Sequence, residues 1–179
     1  MEKSINNYIL VINGPMLAGK STLAKLFLNE ENTIRISSDV VKWLIGGYDA
    51  TNNEHRALKE EMAYSLAETG VKNSLSLIVD GGHNKYRKKL RELADKYNYH
   101  YLSINLEAPK EILEKRFQER VISGKKNDSQ KISVTTKEGF DSRHEWYLKE
   151  NRDLDGMVFD TTKNTPEEIF KKVKDILRV

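Results

Sequence analysis

Short apolar runs alternate along the chain with longer stretches whose apolar positions recur every three or four residues. The runs "YILVIN" (8–13), "TIRIS" (33–37), "LSLIVD" (75–80), "YHYLSINL" (99–106) and "GMVFD" (156–160) predict five buried strands. Between them lie helical patterns. "STLAKLFLNEE" (21–31) follows the first strand, and "EHRALKEEMAYSLAETGV" (54–71) places Leu58, Met62 and Leu66 on one predicted core face. "YRKKLRELADKY" (86–97) carries a stripe of Tyr86, Leu90, Leu93, Ala94 and Tyr97. Pro109 opens the next helix, where its missing N–H costs nothing, and Ile112, Leu113, Phe117 and Val121 are its expected buried side. "TPEEIFKKVKDIL" begins with a capping box, Thr165 and Glu168, and offers Ile169, Phe170, Val173, Ile176 and Leu177 to the core.

Strands separated by helices predict a mostly parallel sheet covered on both faces, an α/β fold. One polar segment, "SGKKNDSQKISVTTKEGFDS" (123–142), lacks periodicity and is longer than an ordinary connection. It is expected to be either a mobile lid, spanning about residues 121–145, or disordered.

Composition narrows the picture modestly. A chain of 179 residues suits one domain with its own core, and 38% hydrophobic with 32% charged residues is ordinary for a soluble protein. There is no cysteine, so disulfides and thiolate metal sites are excluded. No run is apolar and long enough to span a bilayer and "MEKSINNY" lacks a signal-peptide core, so a cytoplasmic protein without membrane contact is expected. The net charge of +3 permits an anionic ligand without demanding nucleic acid. Oligomeric state leaves no trace.

The chemistry enters with "GPMLAGKST" (14–22), between the first strand and its helix. It matches G-x-x-x-x-G-K-[ST] through Gly14, Gly19, Lys20 and Ser21. Glycines let the backbone close around an anion, so successive main-chain N–H groups form a nest on the positive end of the helix, and Gly14, Pro15, Ala18, Gly19, Lys20, Ser21 and Thr22 are the expected nucleotide-binding residues. Lys20 is predicted to bridge the β- and γ-phosphates of ATP, and Ser21 to ligate Mg²⁺.

In such sheets ligands lie beyond the carboxyl ends of the strands, which places Asp39 and Asp80 on the rim shared with the phosphate loop. Asp39 either takes the proton of an acceptor hydroxyl or caps a short helix. Lys42, three residues on, is placed either to bind an acceptor phosphate or to stabilise developing charge. Asp80, with His83 and Asn84 in "DGGHNKYRKK", is read as an acceptor contact, a Mg²⁺-shell carboxylate or turn chemistry. Arg116 and Arg120 share a helical face before the lid, either to neutralise the transferred phosphoryl or to sit in solvent. The basic run "KYRKKLR" (85–91) is a solvated surface or a seat for acceptor phosphates, and Trp43 and Tyr48 either stack a ring or pack the core.

The stretches "GPMLAGKST", "ISSDVVKWLI", "LIVDGGHNKYRKKLRELADKY" and "LEAPKEILEKRFQER" together resemble the P-loop kinase-like family that includes bacterial polynucleotide 5′-hydroxyl kinases and related small ATP-dependent kinases. The resemblance implies a three-layer P-loop NTPase fold of nucleotide-kinase type, a five-stranded mostly parallel sheet with a helical lid, and ATP with Mg²⁺ as cofactors. It implies Asp39 as general base, Lys42 near an acceptor phosphate, Arg116 and Arg120 on nucleotide phosphates, and Thr161 or Thr162 near adenine. The acceptor alcohol stays open between a nucleic-acid 5′ end and a small molecule, with a slow ATP-hydrolysing switch as the reading without an acceptor.

Overall fold

The computed structural model describes residues 7–124 and 134–177. Five strands, β1 (Tyr8–Asn13), β2 (Thr33–Ser37), β3 (Ser76–Asp80), β4 (His100–Glu107) and β5 (Met157–Asp160), form one sheet in the order β2-β3-β1-β4-β5. Every neighbouring pair is parallel. Alternate residues of β1 explain why both faces are covered. Leu10 and Ile12 join one core with α1 (Lys20–Phe27), α5 (Lys110–Ser123), α6 (Lys137–Trp146) and α7 (Pro166–Leu177). Ile9 and Val11 join the other with α3 (Asn53–Lys72) and α4 (Asn84–Tyr97). This is the expected three-layer α/β fold.

The register aligns the carboxyl ends that matter. Ile12 of β1 pairs with Asp80 of β3, and Asp80 pairs with Ser37 of β2. The first residues after three adjacent strands therefore emerge on one rim, where β1 turns into the phosphate loop and β2 into the short helix α2 (Ser38–Lys42).

The capping box of α7 forms as expected. Thr165 N donates to Glu168 Oε2 at 2.8 Å, and Glu168 N donates to Thr165 Oγ1 at 3.2 Å. Two helix faces differ from expectation. In α3 the buried residues are Ala63, Ala67, Gly70 and Val71, while Leu58 and Leu66 are 44% and 41% exposed. Small residues let this helix lie close against β2 and β3, so residue size misleads where close approach is the requirement. In α5 only Leu113 and Phe117 are buried, with Ile112 and Val121 each 37% exposed.

The polar segment beyond α5, expected as a lid or as disorder, contains a helix in its described part. Residues 125–133 lie outside the described residues, but α6 starts at Lys137, and Thr136 Oγ1 caps it by accepting from Gly139 N at 3.2 Å. Phe140 of α6 is 1% exposed and stacks on Phe117 with ring centres 5.1 Å apart. One aromatic residue among polar ones anchors the helix, too little to register as periodicity.

Candidate active site

The phosphate loop leaves β1 at Gly14 with φ +146°, where a Cβ would fall 2.4 Å from the carbonyl oxygen of Leu106 on the next strand. Only glycine fits that approach. Gly19 (φ +95°) occupies the N-cap of α1, and Leu17 also takes a left-handed conformation, φ +69°. A leucine there is strained, and the Leu17 carbonyl is held by Arg116 Nη1 at 3.2 Å. The same guanidinium donates to Thr161 Oγ1 at 3.1 Å and Thr161 O at 3.2 Å. Arg116 thus fastens the loop to the turn after β5 and does not line the cleft. Helix α1 has neither a side-chain cap nor an acidic residue in its first turn, so its leading N–H groups remain available to an anion.

Lys20 folds back onto the loop, donating to Gly14 O at 3.0 Å and Pro15 O at 2.8 Å. Burial lowers its pKa, opposed by Asp80 and Asp39 and assisted by Arg120. Ser21 Oγ donates to Asp80 Oδ2 at 2.8 Å, and Arg35 Nη2 reaches the same oxygen at 2.5 Å. The Asp80 side chain is only 4% exposed. A hydroxyl and a carboxylate at this spacing beside a polyphosphate seat fit Mg²⁺, which takes one or two protein oxygens and completes its shell with phosphates and water. Among the described residues no cluster of three His, Cys, Asp or Glu side chains could form a protein-only cage.

A cleft of about 260 Å³ opens above this floor. It is lined by Met16, Leu17, Gly19, Lys20, Ser21 and Thr22 of the loop and first helical turn, by Ser38 and Asp39, by Asp80 and Gly81, and by Phe117, Arg120 and Val134. Asp39 stands at its mouth, in the first turn of α2, with 60% of its side chain exposed. Burial in the surrounding protein pushes its pKa up, but the charge and 2.6 Å hydrogen bond of Lys42, aided by Lys20 and Arg143, outweigh this and hold the carboxyl below its ordinary value. Ser37 is the N-cap of α2, without a side-chain cap bond. Asp39 therefore is not that helix's cap.

The remaining expected site residues lie elsewhere. The His83 ring contacts Glu60 Oε1, and its Nδ1 accepts from Tyr86 N at 3.4 Å to cap α4. Asn84 donates to Glu150 O at 2.9 Å and accepts from Arg87. Thr162 is exposed and turned onto Asp160 through its N–H (2.8 Å) and hydroxyl (2.6 Å). None of these three lines the cleft.

Two arginines escape a sequence reading. Arg35, between two isoleucines of β2, is a partner of Asp80. Arg87 looks like one more cation in a basic run, yet it is 5% exposed. It donates to Gly82 O at 2.9 Å, Asn151 Oδ1 at 3.2 Å and Asn151 O at 2.9 Å. Asn13, the last residue before the phosphate loop, donates to the same Asn151 carbonyl at 2.8 Å and to Asn105 Oδ1 at 3.2 Å. This knot ties the π-helical turn Tyr147–Asn151, which follows α6, to the floor of the cleft. The available signal was spacing: Arg87 lies three and seven residues before Leu90 and Ala94, on the buried stripe.

Solved structures share the whole architecture at low identity. A candidate kinase from Chloroflexus aurantiacus superposes with a TM-score of 0.71 at 16% identity, covering 95% of this chain and 98% of its own. The APS kinase CysC of Mycobacterium tuberculosis, in complex with AMPPNP and APS, gives 0.67 at 14% identity, with 97% and 99% covered. A chain of the Pnkp1/Rnl/Hen1 RNA repair complex gives 0.61 at 19% identity over 82% of this chain and 46% of that one. Among the described residues no helix is long and apolar enough to cross a membrane. The AAA_33 family, described as an AAA domain, matches residues 9–142, and the chain belongs to it, a P-loop kinase-like domain.

Proposed function

We propose that the protein acts as a single-domain ATP-dependent phosphotransferase that moves the γ-phosphoryl group of ATP to an acceptor hydroxyl. The observation that carries this reading is the meeting of the Lys20–Ser21–Asp80 floor with the ionised Asp39 across one cleft. Gly14, Pro15, Ala18, Gly19 and Thr22 shape or line the polyphosphate seat. Lys20 exchanges its two carbonyl partners for the β- and γ-phosphates, and Arg120, which has no hydrogen bond or ion pair through its guanidinium among the described residues, neutralises charge on the moving group. Ser21 and Asp80 would hold Mg²⁺, which when bound spreads the charge developing on the phosphate oxygens.

Asp39 accepts the acceptor's proton as the new oxygen–phosphorus bond forms and the bond to the bridging β,γ-oxygen breaks, leaving ADP. Structures of this fold are named for different acceptors, among them APS and sugars; a nucleic-acid 5′-hydroxyl or a small alcohol both fit an open mouth. The test is ATP consumption with and without a panel of 5′-hydroxyl oligonucleotides, nucleosides and sugars. Turnover that requires an acceptor supports the reading. Equal turnover in water alone across the panel replaces it with a hydrolysing switch.

A further inference from the structure

Two side chains that belong to neither the phosphate loop nor α1 hold the loop in place. Arg116 grips the Leu17 carbonyl and runs on to Thr161, after β5. The second grip is at the loop's first peptide, and it comes from Asn13. Strand β1 is apolar from Tyr8 to Ile12 and ends on this buried amide. Asn13 Nδ2 donates to Asn151 O at 2.8 Å and to Asn105 Oδ1 at 3.2 Å. Its neighbour Gly14 has no slack, since even a Cβ would lie 2.4 Å from Leu106 O. The peptide joining the two residues is thus fixed on both sides.

What Asn13 holds is the end of the π-helical turn. Arg152 N donates back five residues to Tyr147 O at 2.8 Å, and the helix stops there. Carbonyls of a last helical turn lack helical donors, and that of Asn151 takes two side chains instead. One is Asn13 and the other is Arg87, whose Nη2 lies 2.9 Å away. Arg87 Nη1 also donates to Asn151 Oδ1 at 3.2 Å and to Gly82 O at 2.9 Å. One residue earlier, Glu150 O accepts from Asn84 Nδ2 at 2.9 Å. Tyr147 Oη donates to Glu107 Oε1 at 3.2 Å and anchors the same turn to β4. Side chains from β1 and α4 thus converge on five residues that directly follow α6. Such turns are rare and collect at functional sites. An apolar cluster would fill the space without desolvating these groups, but only directional bonds fix one peptide at one place.

We infer that Asn13 is a positioning residue for the nucleotide: bonded to the Asn151 carbonyl, it presets the opening peptide of the phosphate loop, so nucleotide affinity depends on the seating of the turn after α6. The inference rests on the nucleotide seat of the phosphotransferase reading and goes beyond it by naming what keeps that seat in its binding form. An anion held by main-chain N–H groups binds best when those groups already point inward, because little ordering is left to be done. Without the Asn13 bond the loop spreads over other arrangements, and binding has to restore the productive one.

Calorimetry with Mg²⁺ and a non-hydrolysable ATP analogue reads the effect. In Asn13→Leu, close in shape but without the donor, Kd rises about tenfold, as expected for one buried hydrogen bond. Leu93→Ala, a cavity in the core beneath α4, lowers Tm but leaves Kd within about twofold, because it shares no partner with the loop. Hydrogen exchange supplies a second readout that lost stability alone does not move. In the unaltered protein the analogue slows exchange in residues 14–22 and also in 147–152. In Asn13→Leu the slowing at 147–152 disappears. An unchanged Kd in Asn13→Leu, or undiminished slowing at 147–152, overturns the positioning role and leaves the phosphotransferase reading intact. Should Asn13→Leu fail to fold, Tyr147→Phe takes its place. It frees the turn from Glu107 and raises Kd about threefold, and an unchanged Kd there overturns the inference. An unaltered protein that binds no analogue removes the phosphotransferase reading and the inference with it.

Discussion

The floor of the cleft and its mouth are built by different means. At the floor, backbone conformation does the work: glycines at 14 and 19, a strained Leu17 held by Arg116, and an Asp80 carboxylate buried between Ser21 and Arg35. At the mouth, side chains do it. Asp39 and Lys42 project from a five-residue helix, beside an exposed Val40 and Leu44. A floor made of main chain tolerates few changes, because each residue there is fixed by φ or by close contact. A mouth made of surface side chains can be rewritten without disturbing the core. Similar structures at low identity are named for acceptors as different as APS and sugars, and on the proposed reading such variation would fall at the mouth.

The contrast is broken most directly at Asp39. Asp39→Asn is expected to lower kcat about 10²–10⁴-fold while the affinity for ATP, measured by calorimetry, stays within about twofold of the unaltered protein. Equal losses in both would merge floor and mouth into one unit. Lys20→Met tests the other half: kcat falls about 10²–10³-fold, and here ATP affinity falls as well. Retained ATP affinity would show that the lysine acts only after binding.

Arg87→Ala probes what lies beneath both halves. Removing a buried cation that serves Gly82, Asn151 and, at 3.7 Å, Asp153 should cost about 3 kcal/mol, a fall in Tm of roughly 6–12 °C by thermal denaturation. A change under about 2 °C would mean the knot is not a structural support. The smallest effect sharpens the comparison. Because Lys42 depresses the Asp39 pKa against burial, Lys42→Met lets it rise. Activity is lost as pH falls through that value, so the acid limb of the kcat/KM profile moves to higher pH. An unmoved limb would show that another group titrates there.

Much of the fold was legible in the sequence because strands here are apolar on both faces, and unbroken runs such as "YILVIN" announce themselves. The phosphate loop was legible because its geometry permits so few residue types. The α3 face was not, since Ala63, Ala67 and Gly70 carry little hydrophobic signal while Leu58 and Leu66 carry much. Helix α6 was hidden in polar sequence for the same reason. Within the site, residues that act by position in the chain were found, whereas Arg35 and Arg87 act through partners 45 and 64 residues away, and sequence patterns contain no such distances.

Lys20 resting on the carbonyls of Gly14 and Pro15 has an energetic consequence. The loop's ammonium is therefore not a bare cation in water. It is already solvated by the protein's own oxygens, so an arriving polyphosphate gains only the difference between two sets of acceptors. On the proposed phosphotransferase reading, release of the nucleotide after each transfer would be eased by the same margin.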